Sequence, residues 1–271
     1  MSGLKQIFNK KINNVFGMIH VKPLPGTPRF NGNVKEIIDS ACKEAEIYTN
    51  CGIDGVIVEN MHDIPYVLAD KIGPEIVSMM TRICTSVRQI VPENIPCGLQ
   101  ILAAANNEAI AVAQAAKFQF IRAEGFVFGH VADEGYIDAC AGKLLRYRKV
   151  IGAENICIFT DIKKKHSSHA ITQDVNLIET AKAATFFLSD GIIVTGTATG
   201  HPAEPQDVQD VKRSVGVPVL VGSGVTVNNV HEYNGSDGFI IGSHFKKNGN
   251  WQNELDEIAI KTFMEKISND N

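Results

Sequence analysis

Short β-branched apolar runs alternate with longer stretches of helical periodicity from one end of this chain to the other. That alternation is the mark of βαβ units and a parallel sheet. The pattern predicts a first strand over Val15–His20, which ends in a Pro-rich loop, Lys22–Pro28. A helix over about 34–50 sets Ile37, Ile38, Ala41, Ala45 and Tyr48 on one face. Strand two is Asp54–Asn60. The next helix starts at Pro74, a favoured first-turn residue, and stops before Pro92. Strand three is Cys97–Ile101, with an Ala-rich helix over about 106–117. Strand four is Phe118–Arg122, with a long Gly-rich loop to Gly135 and a helix ending near Ile151. Strand five is Ile156–Thr160, a helix covers about 172–186, and strand six is Asp190–Thr195. A helix opening near Pro205 leads to two closing strands, in Val217–Thr226 and Asp237–Ser243. Eight strands, each expected to be followed by a helix, run without a linker or low-complexity break.

Both closing strands end abruptly in glycine and serine, as Gly222-Ser-Gly224 and Gly242-Ser243. Such exits leave backbone N–H groups free, and the missing glycine Cβ lets an anion approach. Paired exits after the last two strands are how a (β/α)8 barrel cradles a phosphate. The first strand ends in His20 and prolines rather than the glycine fingerprint of a doubly wound sheet, so the barrel is preferred. One strand is also written three times, as Asp54-Gly-Val-Ile-Val, Asp190-Gly-Ile-Ile-Val and Asp237-Gly-Phe-Ile-Ile. These fall on strands two, six and eight, and alternate strands share the side-chain layers inside a barrel. The expectation is an α/β protein with one TIM-barrel domain over residues 1–271. Residues 1–14 would form an N-terminal extension or a small helix closing the barrel floor.

Barrel active sites form at the C-terminal strand ends. Those ends carry His20, Glu59 with Asn60, Gln100, Arg122, Asp161, Thr195 with Gly196, and the two Gly/Ser exits. Glu59 ends an otherwise apolar strand, so partial desolvation would raise its pKa and suit acid/base work, unless Arg122 or a lysine pairs with it. Asp161 follows the same logic on strand five. Two carboxylates from separate strands also suit a divalent cation such as Mg. The loop Asp161–His169 is the densest charge cluster. Its Lys163 and Lys164 read as solvated, whereas Lys165 and His166 are candidates for polarising an anionic substrate. A lysine flanked by like charges has a depressed pKa and also suits a Schiff base. Thr195-Gly-Thr-Ala-Thr-Gly200 supplies hydroxyls for a phosphate or sugar, or a mobile lid.

Composition trims the functional classes. A net charge of −4 argues against a nucleic-acid binder with a broad basic face. Six cysteines without a Cys-x-x-Cys pair suit reduced thiols in an intracellular protein better than disulfides or zinc. No apolar run is long enough to span a bilayer. These features point to the cytoplasm. Lys5, Lys10 and Lys11 beside Leu4, Ile7, Phe8 and Ile12 give a weak mitochondrial signal as the alternative. The composition leaves room for a homo-oligomer.

Gly17-Met-Ile-His-Val-Lys-Pro-Leu-Pro-Gly-Thr-Pro28 resembles the opening motif of the BtpA family, which includes SgcQ-like proteins. Asp54–Asn60, Lys165-His166, Thr195–Gly200 and Val219–Val225 resemble its later motifs, in order, over about residues 12–265. The resemblance implies a TIM barrel of the ribulose-phosphate-binding group. It also implies ties to photosystem I assembly in photosynthetic cells and to sugar-utilisation clusters elsewhere. The strand-three exit, Ile101-Leu-Ala-Ala-Ala-Asn-Asn107, departs from the Leu-Arg-Asn-Asp type of bacterial members, which removes any substrate contact made by that arginine and acid. The leading expectation is a lyase or isomerase acting on a small phosphorylated metabolite. Glu59 and Asp161 would be its acid/base pair, aided by Lys165, His166 and His20. Non-catalytic assembly work is the alternative, and a metal-dependent hydrolase is a weaker one.

Overall fold

A computed structural model describes residues 3–8, 10 and 12–269 of the chain. Eight parallel strands close into a barrel. They are β1 (Asn14–His20), β2 (Gly55–Glu59), β3 (Cys97–Gln100), β4 (Phe120–Ala123), β5 (Cys157–Ile162), β6 (Gly191–Val194), β7 (Val219–Val221) and β8 (Gly238–Ile241). Outside them pack α1 (Val34–Asn50), α2 (Pro74–Ile90), α3 (Asn106–Ala115), α4 (Ala141–Val150), α5 (Leu177–Phe186), α6 (Pro205–Ser214) and α7 (Glu257–Asn269). The expected TIM barrel is the observed fold. No helix among the described residues is long and apolar enough to cross a membrane.

Three local expectations change. After β7 the chain forms a 3₁₀ turn, Val230–Tyr233, where an α-helix was expected. The Asn229 carboxamide oxygen takes the Thr226 N–H at 2.7 Å, so local side-chain bonding holds the segment in turns. Strand four starts at Phe120, because Lys117 turns with φ of 58° and Phe118 packs in the outer core. The Gly-rich loop after β4 carries a hairpin, His130–Ala132 with Gly135–Ile137, which Ser167–Ser168 extends to a three-stranded antiparallel sheet.

Side chains alternate along each strand, so every second residue enters the barrel. Phe16, Phe120 and Phe159 meet edge to face inside it, with centroids 5.5 Å apart for both Phe16–Phe120 and Phe120–Phe159. Space for these rings comes from Gly55, Gly98 and Gly191, where an added Cβ would lie 2.5, 2.2 and 2.1 Å from a phenyl carbon. The floor beneath is closed by the N-terminal turn Leu4–Ile7. Ile7 is fully buried, and Phe8 lies 6.2 Å from Phe16 and 5.9 Å from Phe159.

The threefold Asp-Gly pattern has a mechanical cause. Asp54, Asp190 and Asp237 each accept the N–H of a residue at the foot of the preceding strand. Val15 N donates at 2.9 Å, Ile158 N at 2.8 Å and Val219 N at 2.6 Å. Each carboxylate also meets a cation, from Lys10, Arg148 and Lys212 respectively. The aspartates therefore satisfy donors that the ladder leaves open. Asp54→Ala would leave the N–H of fully buried Val15 without this acceptor. We expect a loss of about 1–3 kcal/mol, read as a lower urea midpoint at unchanged slope.

Candidate active site

The upper layer of the barrel holds the residues that can do chemistry. His20, Glu59, Gln100, Arg122 and Asp161 all line one cavity of about 440 Å³ at the C-terminal strand ends. Gly222–Gly224, Gly242, Ser243, Lys165 and His166 line it too. The strand-end positions chosen from the sequence thus converge, because each lies two residues above an inward-facing core residue.

Glu59 lies across from His20, with its carboxyl oxygen 3.8 Å from His20 Nε2. Burial pushes Glu59 up to about 7, against the opposing pull of Arg122 and Lys165. His20 Nδ1 is 3.1 Å from the Trp251 carbonyl, which can only accept, so the ring proton sits on Nδ1. Burial, reinforced by Lys246, holds His20 well below its ordinary pKa. A neutral ring therefore turns its lone pair toward Glu59, which removes a positive charge that would otherwise ionise the carboxyl.

Arg122 binds Asp161 in a two-pronged pair, Nε to Oδ2 at 2.9 Å and the terminal nitrogen to Oδ1 at 3.0 Å. The partner considered for Glu59 from the sequence is thus the direct partner of Asp161, and both of that aspartate's oxygens are engaged. Lys165 is partly buried in the cavity wall, and its ammonium has no hydrogen-bond or ion-pair partner among the described residues. Burial and the nearby Arg122 bring it down to about 8. Lys164, expected to be solvated, is buried instead, because Glu124 meets it at 3.3 Å. His166 is exposed on the rim and accepts the Thr199 N–H at 3.2 Å, which ties the β5 loop to the β6 loop.

The two Gly/Ser turns follow β7 and β8, and the β8 turn lies beside His20, where a Cβ on Gly242 would come within 3.3 Å of the imidazole. Gly222 N donates to Val194 O at 2.8 Å, whereas the amides of Ser223, Gly224 and Ser243 find no acceptor among the described residues. Ser223 spends its hydroxyl on the neighbouring loop, accepting from Gly196 N at 2.7 Å and donating to His201 O at 2.9 Å. Only its backbone N–H is left open toward the cavity. Gly224 has φ of +67°, and a Cβ there would lie 2.2 Å from Pro202 N, so only glycine fits.

Asn60, Thr195 and Gly196 are not on the cavity wall. Asn60 holds Leu102 N at 2.8 Å and Asp63 at 2.9 Å. No group of three or more His, Cys, Asp and Glu side chains is placed to hold a metal among the described residues. Of the stretch Thr195–Gly200, Thr199 and Gly200 reach the cavity, which also takes in Glu124, Tyr66 and Trp251, missed by the strand-end rule. Glu124 was reachable, since it continues the inward period two residues past Arg122. The others sit on excursions whose course no periodicity encodes.

Comparison with known proteins agrees with this architecture. The chain is 50% identical over 268 residues to a Caenorhabditis elegans protein designated mitochondrial, covering 98% of this chain and 96% of the relative. It is 32% identical over 258 residues to the Photosystem I biogenesis protein BtpA of Synechocystis, covering 94% and 88%. Among solved structures, KGPDC from Streptococcus mutans superposes with a TM-score of 0.60 at 12% identity, covering 95% and 98%. The (S)-3-O-geranylgeranylglyceryl phosphate synthase of Thermoplasma acidophilum, bound to sn-glycerol-1-phosphate, superposes with a TM-score of 0.57 at 14% identity, covering 99% and 97%. At such identities the likeness speaks for the barrel fold alone. The BtpA family model matches residues 11–269, nearly the whole length, and the chain belongs to the BtpA family.

Proposed function

We propose that the protein is an enzyme acting on a small phosphorylated molecule by proton-transfer chemistry of the lyase or isomerase type. One observation carries this reading: the buried Glu59 carboxyl and the Lys165 ammonium, which has no partner among the described residues, line one cavity with backbone amides that find no acceptor among those residues. A phosphate rests on the amides of Ser223, Gly224 and Ser243, where oriented N–H groups favour an anion. Glu59 moves the proton, since a group with pKa near the working pH is the most effective acid/base catalyst. Lys165 stabilises negative charge that develops on a substrate oxygen. Asp161 fixes Arg122 rather than sharing the proton transfer. Gln100 adds a buried side-chain oxygen with no partner among the described residues, which suits a substrate hydroxyl. The synthase neighbour, solved with sn-glycerol-1-phosphate, lends support by analogy of fold.

A phosphosugar panel tests the proposal. A ligand at a hundredfold excess over its Kd should raise stability by about 2.7 kcal/mol, read as a higher Tm. No shift across the panel, with and without magnesium, would count against the phosphate site.

The name of the Synechocystis relative favours a second reading, a non-catalytic assembly or stability factor. That role predicts that Glu59→Gln and Asp161→Asn leave function in cells intact. Loss of function in both, at normal protein levels, removes it.

A further inference from the structure

The cavity has a second end that phosphate binding does not use. After β8 the chain makes an excursion over 246–255, closed by an antiparallel bridge between Lys246 and Leu255. Its base is pinned by the ion pair of Lys246 with Glu44 on α1, where the lysine side chain is only 1% exposed. Lys247 N donates to Glu254 O at 2.9 Å, and Asn253 donates to Lys247 O at 2.8 Å. This braced loop carries Trp251, the one tryptophan of the chain, across the mouth to the β1–β2 side. There its ring lies 6.0 Å from His20 and 4.9 Å from His62, centroid to centroid. Tyr66, Met61 and Leu102 line the cavity from the β2 and β3 exits. The Tyr66 hydroxyl donates to Met61 O at 2.7 Å, so that side chain offers the cavity its ring rather than its polar tip.

Barrel order sets the β2 and β3 exits across from the Ser223 and Gly224 amides after β7; Glu59 and Gln100 end those same two strands beneath the aromatic wall, and Lys165 enters from the β5 loop. A phosphosugar alone can set only a small C–H face against an indole, a phenol ring, a thioether and a leucine, and leaves most of that apolar wall uncovered. Flat aromatic rings stack on such surfaces and gain both area burial and ring–ring attraction. We infer that the substrate is a phosphorylated sugar that carries an aromatic or heteroaromatic ring, with the ring seated on Trp251 and Tyr66. This inference rests on the phosphate site proposed above and adds the chemical class of what lies at the other end.

Calorimetric titration of the whole protein separates the two ideas. Ribose 5-phosphate probes the phosphate end alone, and purine and pyrimidine nucleoside 5′-monophosphates add a ring to the same phosphosugar. We expect at least one ring-bearing compound to bind about tenfold tighter than ribose 5-phosphate, equal to about 1.4 kcal/mol. The same compound should quench fluorescence from the single tryptophan. Trp251→Leu should erase the preference while leaving ribose 5-phosphate affinity unchanged, and Trp251→Phe, which keeps a ring, should retain part of it. Binding of ribose 5-phosphate without any ring preference, or a preference that survives Trp251→Leu, overturns the ring subsite and leaves the phosphate site standing. Failure of every compound to bind overturns both.

Discussion

Glu59→Gln is expected to abolish most turnover while making the protein more stable at neutral and alkaline pH. Burial raises the carboxyl from 4.5 to about 7 in the folded state, so the fold holds this proton more tightly than the unfolded chain does. A group raised in this way costs nothing below the unfolded pKa. Its cost grows as pH rises from about 4.5 through 7 and is constant above that. At about 1.36 kcal/mol per unit, the shift corresponds to a cost on the order of 3 kcal/mol at pH 8. Glutamine keeps the shape and never ionises. The melting curves of variant and wild type should therefore coincide near pH 4.5, and the variant should melt higher at pH 8. Removing an acid/base group typically lowers rate by about 10²–10⁴-fold, so kcat/KM should fall on that scale. For wild type, kcat/KM should drop below about pH 7 as Glu59 takes up its proton, and above about pH 8 as Lys165 loses its own. A variant that is less stable at pH 8, or one with undiminished turnover, contradicts this role for Glu59.

That stabilisation would follow from a burial already visible in the chain. Gly55-Val-Ile-Val-Glu59 is apolar up to its last residue, and period two sends that residue inward above Ile57. The same rule placed His20, Gln100, Arg122 and Asp161 in the cavity, since strand periodicity alone fixes which way each points. It failed where partners decide. Lys164 reads as a solvated lysine beside two others, yet Glu124 draws it under the hairpin into a buried pair. Asn60, Thr195 and Gly196 stand at strand exits with suitable chemistry, but Asn60 holds Leu102 N and Asp63, Gly196 gives its N–H to Ser223, and none of the three lines the cavity, although Met61 and Thr199 of the same loops do. Trp251 belongs to an excursion held by Lys246 and Glu44, residues 202 positions apart, and no local pattern announces that contact. Periodicity thus supplied the floor and the inward ring of the site, while its walls depended on tertiary pairing.

Arg122→Met is expected to be the most destabilising single change at the site. It would leave Asp161, whose side chain is 2% exposed, without either hydrogen bond that its oxygens now accept from Arg122. Removing one member of a buried ion pair costs about 3–5 kcal/mol, because the remaining charge has lost its compensation. The intact pair need not stabilise the fold by a comparable amount, since desolvating both charges offsets most of their attraction. Arg122→Met combined with Asp161→Leu should therefore recover most of the stability lost by Arg122→Met alone, as measured by urea unfolding. Activity should not return with it. Arg122 lies beneath the Gly222–Gly224 turn, and a Cβ on Gly222 would come within 3.5 Å of its terminal nitrogen. Its charge also contributes to lowering Lys165, while that same charge pulls Glu59 down against the effect of burial. A stable but inactive double variant would assign the pair to the chemistry of the cavity. A double variant as unstable as Arg122→Met would assign it to the barrel itself.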